Sequence, residues 1–306
     1  MAVYICLFHK LSTVTEVQFQ NIQVLENPTP DSNIIEQVKA QILTLHYPKP
    51  ETFSRGECTK NPVRFFAILS MQRSGSGWFE TLLNSHINIS SNGEIFFPVD
   101  RRKNISTIIQ TLDRVYSLDW FNSASKNECS AAVGFKWMLN QGLMEHHKEI
   151  VQHFNHRGVA VVFLFRRNSL QRMVSLLANS YDRYAKLLNG THKSHVHSQE
   201  EATALSRYKP IINSTSLISD LKEVEMDAVQ AIKYFKSTRH MKLEDVQEFL
   251  GLPKMELTSR QVKIHKGPLS DFVKNWDDVF TRDISELKIF AAMKSMMMIT
   301  MLATLR

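Results

Sequence analysis

The chain has 306 residues, 43% hydrophobic and 22% charged, which is enough for one large globular domain or two small ones and excludes a disordered, collagen-like or disulfide-scaffold protein. Its formal net charge of +7 at pH 7 is spread without runs of like charge, so it favours anionic small-molecule substrates over nucleic acid. Cys6, Cys58 and Cys129 lack metal-ligand spacing, and buried free thiols are expected in preference to a Cys58–Cys129 disulfide, which only an oxidising compartment permits.

In chain order, the opening MAVYICLFHK offers about seven apolar or small residues, too few to span a bilayer, with no basic lead or cleavage site. It fits the tail end of a longer signal anchor, so membrane association through a partial N-terminal anchor is expected. Residues 1–60 contain the proline-punctuated loops ENPTPDSN and HYPKPETF and read as a stem or peripheral segment. From Arg64 onward strand patterns alternate with helix patterns, which predicts one α/β domain over 61–280 with a mainly parallel sheet flanked by helices on both faces.

The predicted strands are RFFAILS (64–70), AAVGFKWM (131–138) and GVAVVFLF (158–165), each with the near-continuous apolar character of a strand buried on both faces. Helical spacing appears over 78–83, 141–153 and 170–188; in the last, Leu170, Met173, Val174, Leu177 and Ala178 form one apolar stripe. Residues 281–306 form a methionine-rich tail, FAAMKSMMMITMLATLR at its end, interrupted by Lys294; an apolar helix on the core or on a partner is expected there. Asn-x-Ser/Thr sequons at Asn88, Asn104, Asn189 and Asn213 hint at the secretory pathway.

The first strand runs directly into SMQRSGSGWFETLL. A strand, a small polar loop with two glycines and a helix gather free backbone N–H groups around one point and favour an anion there. Gly75 and Gly77 let the backbone turn and approach a ligand, Ser74 and Ser76 donate hydroxyls, and Arg73 supplies a permanent cation. The loop lacks the Gly-Lys-Ser/Thr ending of a nucleoside triphosphatase. The strand VVFLF ends in RRNSLQRMVS, which puts Arg166 and Arg167 at a strand's carboxyl end, where open α/β sheets bind ligands; Ser175 follows on the next helix.

QRSGSGWFETLL together with FRRNSLQRMVS resembles the sulfotransferases that use 3′-phosphoadenosine 5′-phosphosulfate, closest to the nodulation-type and plant carbohydrate-sulfotransferase-like branch. The resemblance covers roughly residues 63–280 and implies a P-loop-like sulfotransferase fold. It implies a donor loop of Arg73, Ser74, Gly75, Ser76 and Gly77, with the Trp78 ring against the adenine. It places the 3′-phosphate on Arg167 and Ser175, closed over by Lys266 and Gly267 of KIHKGPLSD. The co-substrate is then the phosphosulfate nucleotide, with no metal, and the acceptor a hydroxyl of a carbohydrate or glycolipid. A Golgi or secretory location is expected, with the cytoplasm as the alternative.

Under this reading Arg73 stabilises charge on the departing phosphate oxygen and Glu94, in SNGEIFF, takes the acceptor proton, its apolar neighbours Ile95, Phe96 and Phe97 raising its pKa toward the working range. His86 and His147 are alternative bases, and Lys136 lines the acceptor cleft. The polar loop Asn189 to Ala204 is expected at the acceptor pocket, with weak support for zinc on its histidines. Family members carry a strand between the helices resembling AVQAIKYF and KLEDVQEFLGLP. Here STRHM runs straight into KLEDVQ, so the sheet is expected to lack one strand near 241–242. The alternatives are a catalytically impaired isoform that binds a nucleotide or an anionic glycan, and an ATP-dependent phosphoryl transferase.

Overall fold

A computed structural model describes residues 45–126, 129–166, 168–240, 246–250 and 252–280. Its centre is a parallel sheet of β1 (Arg64–Ser70), β2 (Ile89–Ser91), β3 (Ala132–Met138), β4 (Ala160–Leu164) and β5 (Arg239–His240) in the order β2-β3-β1-β4-β5. The helices are α1 (Ser76–Leu83), α2 (Ile105–Tyr116), α3 (His147–Arg157), α4 (Ser169–Ala185), α5 (Gln199–Ser206), α6 (Leu217–Tyr234) and the single turn α7 (Val246–Phe249). The predicted α/β class with a mainly parallel, helix-flanked sheet is therefore correct.

The three predicted strands lie where the apolar runs put them, because β1 and β3 are central and have helices on both faces. Alternate side chains sort to the two faces. Phe65, Ala67, Leu69, Val133, Phe135, Trp137 and Val161 face α2, α3 and α6, whereas Phe66, Ile68, Ala160, Val162 and Leu164 face α1 and α7. Lys136 breaks the pattern of β3: it is a buried cation at the carboxyl end of an otherwise apolar strand.

Helix α2, to which the sequence reading gives no element, is amphipathic: Ile108, Thr111, Leu112, Val115 and Tyr116 are buried at helical spacing. It starts at a capping box in which Asn104 and Thr107 satisfy each other's backbone N–H groups. The helix expected over 141–153 begins only at His147, because Gly142 at φ 79° breaks the chain after β3. Helix α4 starts at Asn168, whose side chain accepts the Gln171 N–H, and of its predicted stripe only Leu177 turns out to solvent.

Two expectations are corrected. Arg239 and His240 pair with Ala160 and Val161, so a two-residue β5 occupies the sheet position expected to be vacant; STRHM itself supplies the strand. Cys58 and Cys129 form a disulfide rather than buried free thiols, joining the turn before β1 to the turn before β3. The register pairs Arg64 with Ala132, so those two turns are neighbours at the amino ends of adjacent parallel strands. Of the stem, residues 45–60 lie against the domain: His46 bridges Val63, and the Glu51 and Thr52 N–H groups donate to Asp119. The expected N-terminal anchor, the methionine-rich tail and Cys6 lie outside the described residues. Among the described residues no helix is long and apolar enough to cross a membrane.

The disulfide closes a sequence separation of 71 residues. In the chain-entropy account that removes about 4 kcal/mol of freedom from the unfolded chain. Cys129→Ser is expected to lower the unfolding free energy by an amount of that order, measured by chemical denaturation of the oxidised protein and the variant.

Candidate functional site

At the carboxyl ends of β1, β3 and β4 the loop 71–75 turns into α1. Arg73 and Gly75 both take left-handed backbone conformations, at φ 63° and 94°, and Gly75 is the residue at the helix entry. Only glycine adopts that geometry freely. The first N–H groups of α1 have no acceptor inside the helix and no side-chain cap, so they face the loop's concave side. A Cβ on Gly77 would fall 2.6 Å from the His195 ring, so glycine is required there for the close approach of the 189–198 loop.

This turn forms one wall of a cavity of about 220 Å³. Gln72, Arg73, Gly75, Ser76, Gly77 and Trp78 line it from the loop and α1, Arg166 from the end of β4, and Ser175 from α4. Glu94, Lys136, Arg183, His195, Lys263 and His265 complete the lining residues that carry charge or titrate. Arg73 links the loop to α4 and to the 189–198 loop, donating from Nε to Ser175 Oγ at 2.9 Å and from Nη1 to the Ser194 carbonyl. Arg166 Nη1 reaches the Arg73 carbonyl at 3.4 Å, and Arg172 Nε donates to the Gln72 carbonyl at 2.9 Å.

Neither Arg73 nor Arg166 pairs with a carboxylate among the described residues. Burial pushes the Arg73 guanidinium down to about 10, with Arg166 adding to the effect, and burial and Arg172 likewise push Arg166 down to about 10. Both remain charged at neutral pH. Buried Arg166 Nε, Ser74 Oγ and His265 Nε2 have no hydrogen-bond partner among the described residues. Buried polar atoms are rarely left so, and two of these residues, Arg166 and His265, line the cationic cavity, which suits an anion with acceptor oxygens.

The opposite side is built from a buried chain of charges. Lys136 Nζ lies 3.4 Å from Glu80 Oε2 and 3.6 Å from Glu94 Oε2. Glu80, on α1, is fixed by Ser91 Oγ at 2.9 Å and the Gly93 N–H at 2.7 Å, which pins the segment after β2 that carries Glu94. Gln141 Nε2 donates to Glu94 Oε1 at 2.5 Å, while Trp137 Nε1 holds the Gln141 carbonyl at 2.9 Å. Phe96 stacks on Trp137 with ring centroids 4.0 Å apart. The groups on the Glu94 carboxylate are therefore Lys136 and Gln141, and not the apolar neighbours expected to surround it: Ile95 and Phe96 turn into the core and Phe97 turns to solvent.

Of the residues predicted from sequence, Arg73, Gly75, Ser76, Gly77, Trp78, Glu94, Lys136 and Ser175 share this cavity. Trp78 also packs against the core on the α1 face. Ser74 is fully buried beneath the loop and does not line it. Arg167 lies outside the described residues, and Arg166 beside it reaches in. Lys266 and Gly267 stand away from the cavity: Lys266 is exposed with Nζ on Gln199 Oε1 at 2.7 Å, and Lys263 lines the wall instead.

His86 is buried between the Asn88 N–H and the Pro253 carbonyl, and His147 stacks on Tyr234 with centroids 3.6 Å apart; neither lines the cavity. No group of three or more His, Cys, Asp or Glu placed to hold a metal occurs among the described residues. The loop expected at the acceptor pocket, Asn189 to Ala204, does reach the cavity through Ser194, His195 and Val196, whereas sequence reasoning missed Glu80 and His265. The signal for Glu80 was a carboxylate within the apolar GWFETLL, and that for His265 was the KIH just before Lys266.

His265 and His195 are both pushed down from 6.5 to about 4, first by burial and then by the surrounding cations. For His265, the more enclosed of the two, the unfolded chain takes up the proton before the folded one. The stability that comes with a neutral folded ring is thus present above about pH 6.5 and is lost as pH falls toward 4. His265 is expected to account for roughly 2 kcal/mol of destabilisation between pH 7 and pH 5. Denaturation of wild type and His265→Gln at both pH values checks this, the variant showing the smaller difference. The chain matches no protein-family model, and no curated protein matches it.

Proposed function

We propose that the chain is a sulfotransferase that moves a sulfuryl group from 3′-phosphoadenosine 5′-phosphosulfate to a hydroxyl of a carbohydrate or glycolipid acceptor. The observation that carries this reading is the meeting of the two anion motifs on one cavity. Arg73 of the glycine-serine loop bonds directly to Ser175, with Arg166 beside it and no acid to neutralise either guanidinium among the described residues. The unpartnered Arg166 Nε and His265 Nε2 suit a ligand rich in phosphate or sulfate oxygens. A P-loop-like sulfotransferase fold is part of the same proposal.

Bound, the donor supplies an activated sulfuryl group. The chain's own part is to orient it and handle the charge. The N–H groups at the start of α1 and the Ser76 hydroxyl hold the 5′ end. Arg166, Ser175 and Lys263 hold the 3′-phosphate, with Arg167 in the role the sequence resemblance gives it. Arg73 stabilises the negative charge that grows on the departing phosphate oxygen and, remaining protonated, donates no proton itself. Glu94 takes the acceptor's proton at its carboxylate, which Lys136 and Gln141 hold in place from the floor of the cavity. The disulfide Cys58–Cys129 supports passage through an oxidising compartment, in keeping with a Golgi or secretory location.

Calorimetric titration with 3′-phosphoadenosine 5′-phosphate is expected to show binding to wild type and at least tenfold weaker binding to Arg166→Ala and Arg73→Ala. Absence of binding to the folded wild-type chain, with binding of ATP–magnesium instead, would transfer the site to phosphoryl transfer. Glu94→Gln is expected to lower the turnover of labelled donor by about 10²–10⁴-fold while nucleotide binding stays within a few-fold of wild type. Equal turnover would remove Glu94 from the proton-accepting role.

A further inference from the structure

The loop between α4 and α5 contains a second chemical unit. Asp182, buried near the end of α4, accepts the Leu187 N–H on Oδ1 at 2.9 Å and faces His192 Nδ1 through Oδ2 at 2.5 Å. The other ring nitrogen, His192 Nε2, lies 3.1 Å from Ser194 Oγ. With Nδ1–H donating to the carboxylate, Nε2 presents its lone pair to the serine hydroxyl.

A nucleophile within reach of a base, and a base oriented by a third group, is the arrangement that activates a serine. The hairpin tip has a closure of its own beside these contacts. Asn189 and Gly190 both take left-handed conformations, at φ 52° and 80°, and Leu188 pairs with Thr191, which together close the hairpin. Ser194 lines the cationic cavity, and its carbonyl accepts from Arg73, so positive charge is already held at this residue.

We propose that Ser194 is a nucleophile, activated by His192 and oriented through Asp182, that cleaves esters of molecules carrying an anionic group. Ser194 Oγ attacks the ester carbonyl as its proton passes to His192 Nε2. Collapse of the tetrahedral intermediate breaks the carbonyl–alkoxy bond, and the alkoxide leaves with that proton. Water then attacks the acyl-serine carbonyl, giving one proton to His192 Nε2; collapse of this second intermediate breaks the bond from the acyl carbon to Ser194 Oγ, His192 returns the proton to Oγ, and the acid leaves as its carboxylate after losing its proton to solvent. Arg73 stabilises the oxyanion, and the surrounding cations select the substrate's negative group. This activity does not depend on sulfuryl transfer.

The test is labelling of the full chain with a biotinylated alkyl fluorophosphonate, in which the Ser194 Oγ–phosphorus bond forms and fluoride leaves, followed by peptide mass spectrometry. Label is expected on Ser194 of the native protein, none on heat-denatured protein or on Ser194→Ala, and at least tenfold slower labelling in His192→Gln. His192→Asn serves if His192→Gln does not fold, circular dichroism deciding that. A native protein with no label at Ser194, or equal labelling in the folded histidine variant, overturns the proposal, since a merely structural hydrogen-bond chain leaves the serine unreactive. With 4-nitrophenyl hydrogen glutarate, kcat/KM is expected to exceed that for 4-nitrophenyl acetate at least tenfold. Equal or lower values overturn the anionic preference.

Discussion

Two guanidinium groups taken out of water beside each other govern the rest of this molecule. Arg73 and Arg166 are pushed down by burial and by neighbouring cations, yet the sheet keeps them in place without a carboxylate among the described residues. Removing charge from water costs several kcal/mol per ion unless a partner compensates. Here the partners are neutral: a serine hydroxyl and backbone carbonyls. Such an arrangement is stable only because α1, β4 and α4 over-determine it, and it leaves a standing demand for an anion.

The other half of the cavity answers with the opposite device. Lys136 is as buried as the arginines, but two glutamates share it, and each glutamate is tied to a different stretch of chain: Glu80 to the segment after β2, Glu94 to the turn after β3. The cavity therefore has an electropositive end suited to receiving charge and an end where one lysine holds two carboxylates, which fixes Glu94 in place. The proposed sulfuryl transfer would use that division, its leaving group becoming negative beside the cations and its incoming hydroxyl giving up a proton beside the carboxylate.

Much of this was legible in the residues. The central strands announced themselves through continuous apolar runs, and the loop at 72–77 through its glycines, serines and arginine, because both signals are local. The fixing of Glu94 was not, since it depends on Trp137, Gln141 and Phe96, whose contact follows from packing across β3 and not from spacing. Lys266 followed from the resemblance alone, and Lys263 lines the cavity instead: which of two nearby lysines faces inward depends on a course of chain with no regular period. Short elements escaped too. β2 and β5, of three and two residues, borrow their strand geometry from longer neighbours, and nothing in so few residues signals it.

The disulfide sits at the amino ends of β1 and β3, and the cavity opens at their carboxyl ends, with seven residues of strand between them. At the usual rise of a strand that is roughly 23 Å of rigid, hydrogen-bonded sheet. Thiol chemistry at Cys58 and Cys129 and ion chemistry at Arg73 are thus carried at opposite poles of the same two strands. Opening the crosslink would therefore act first on the base on which the strands stand, at the far end of the sheet from the site.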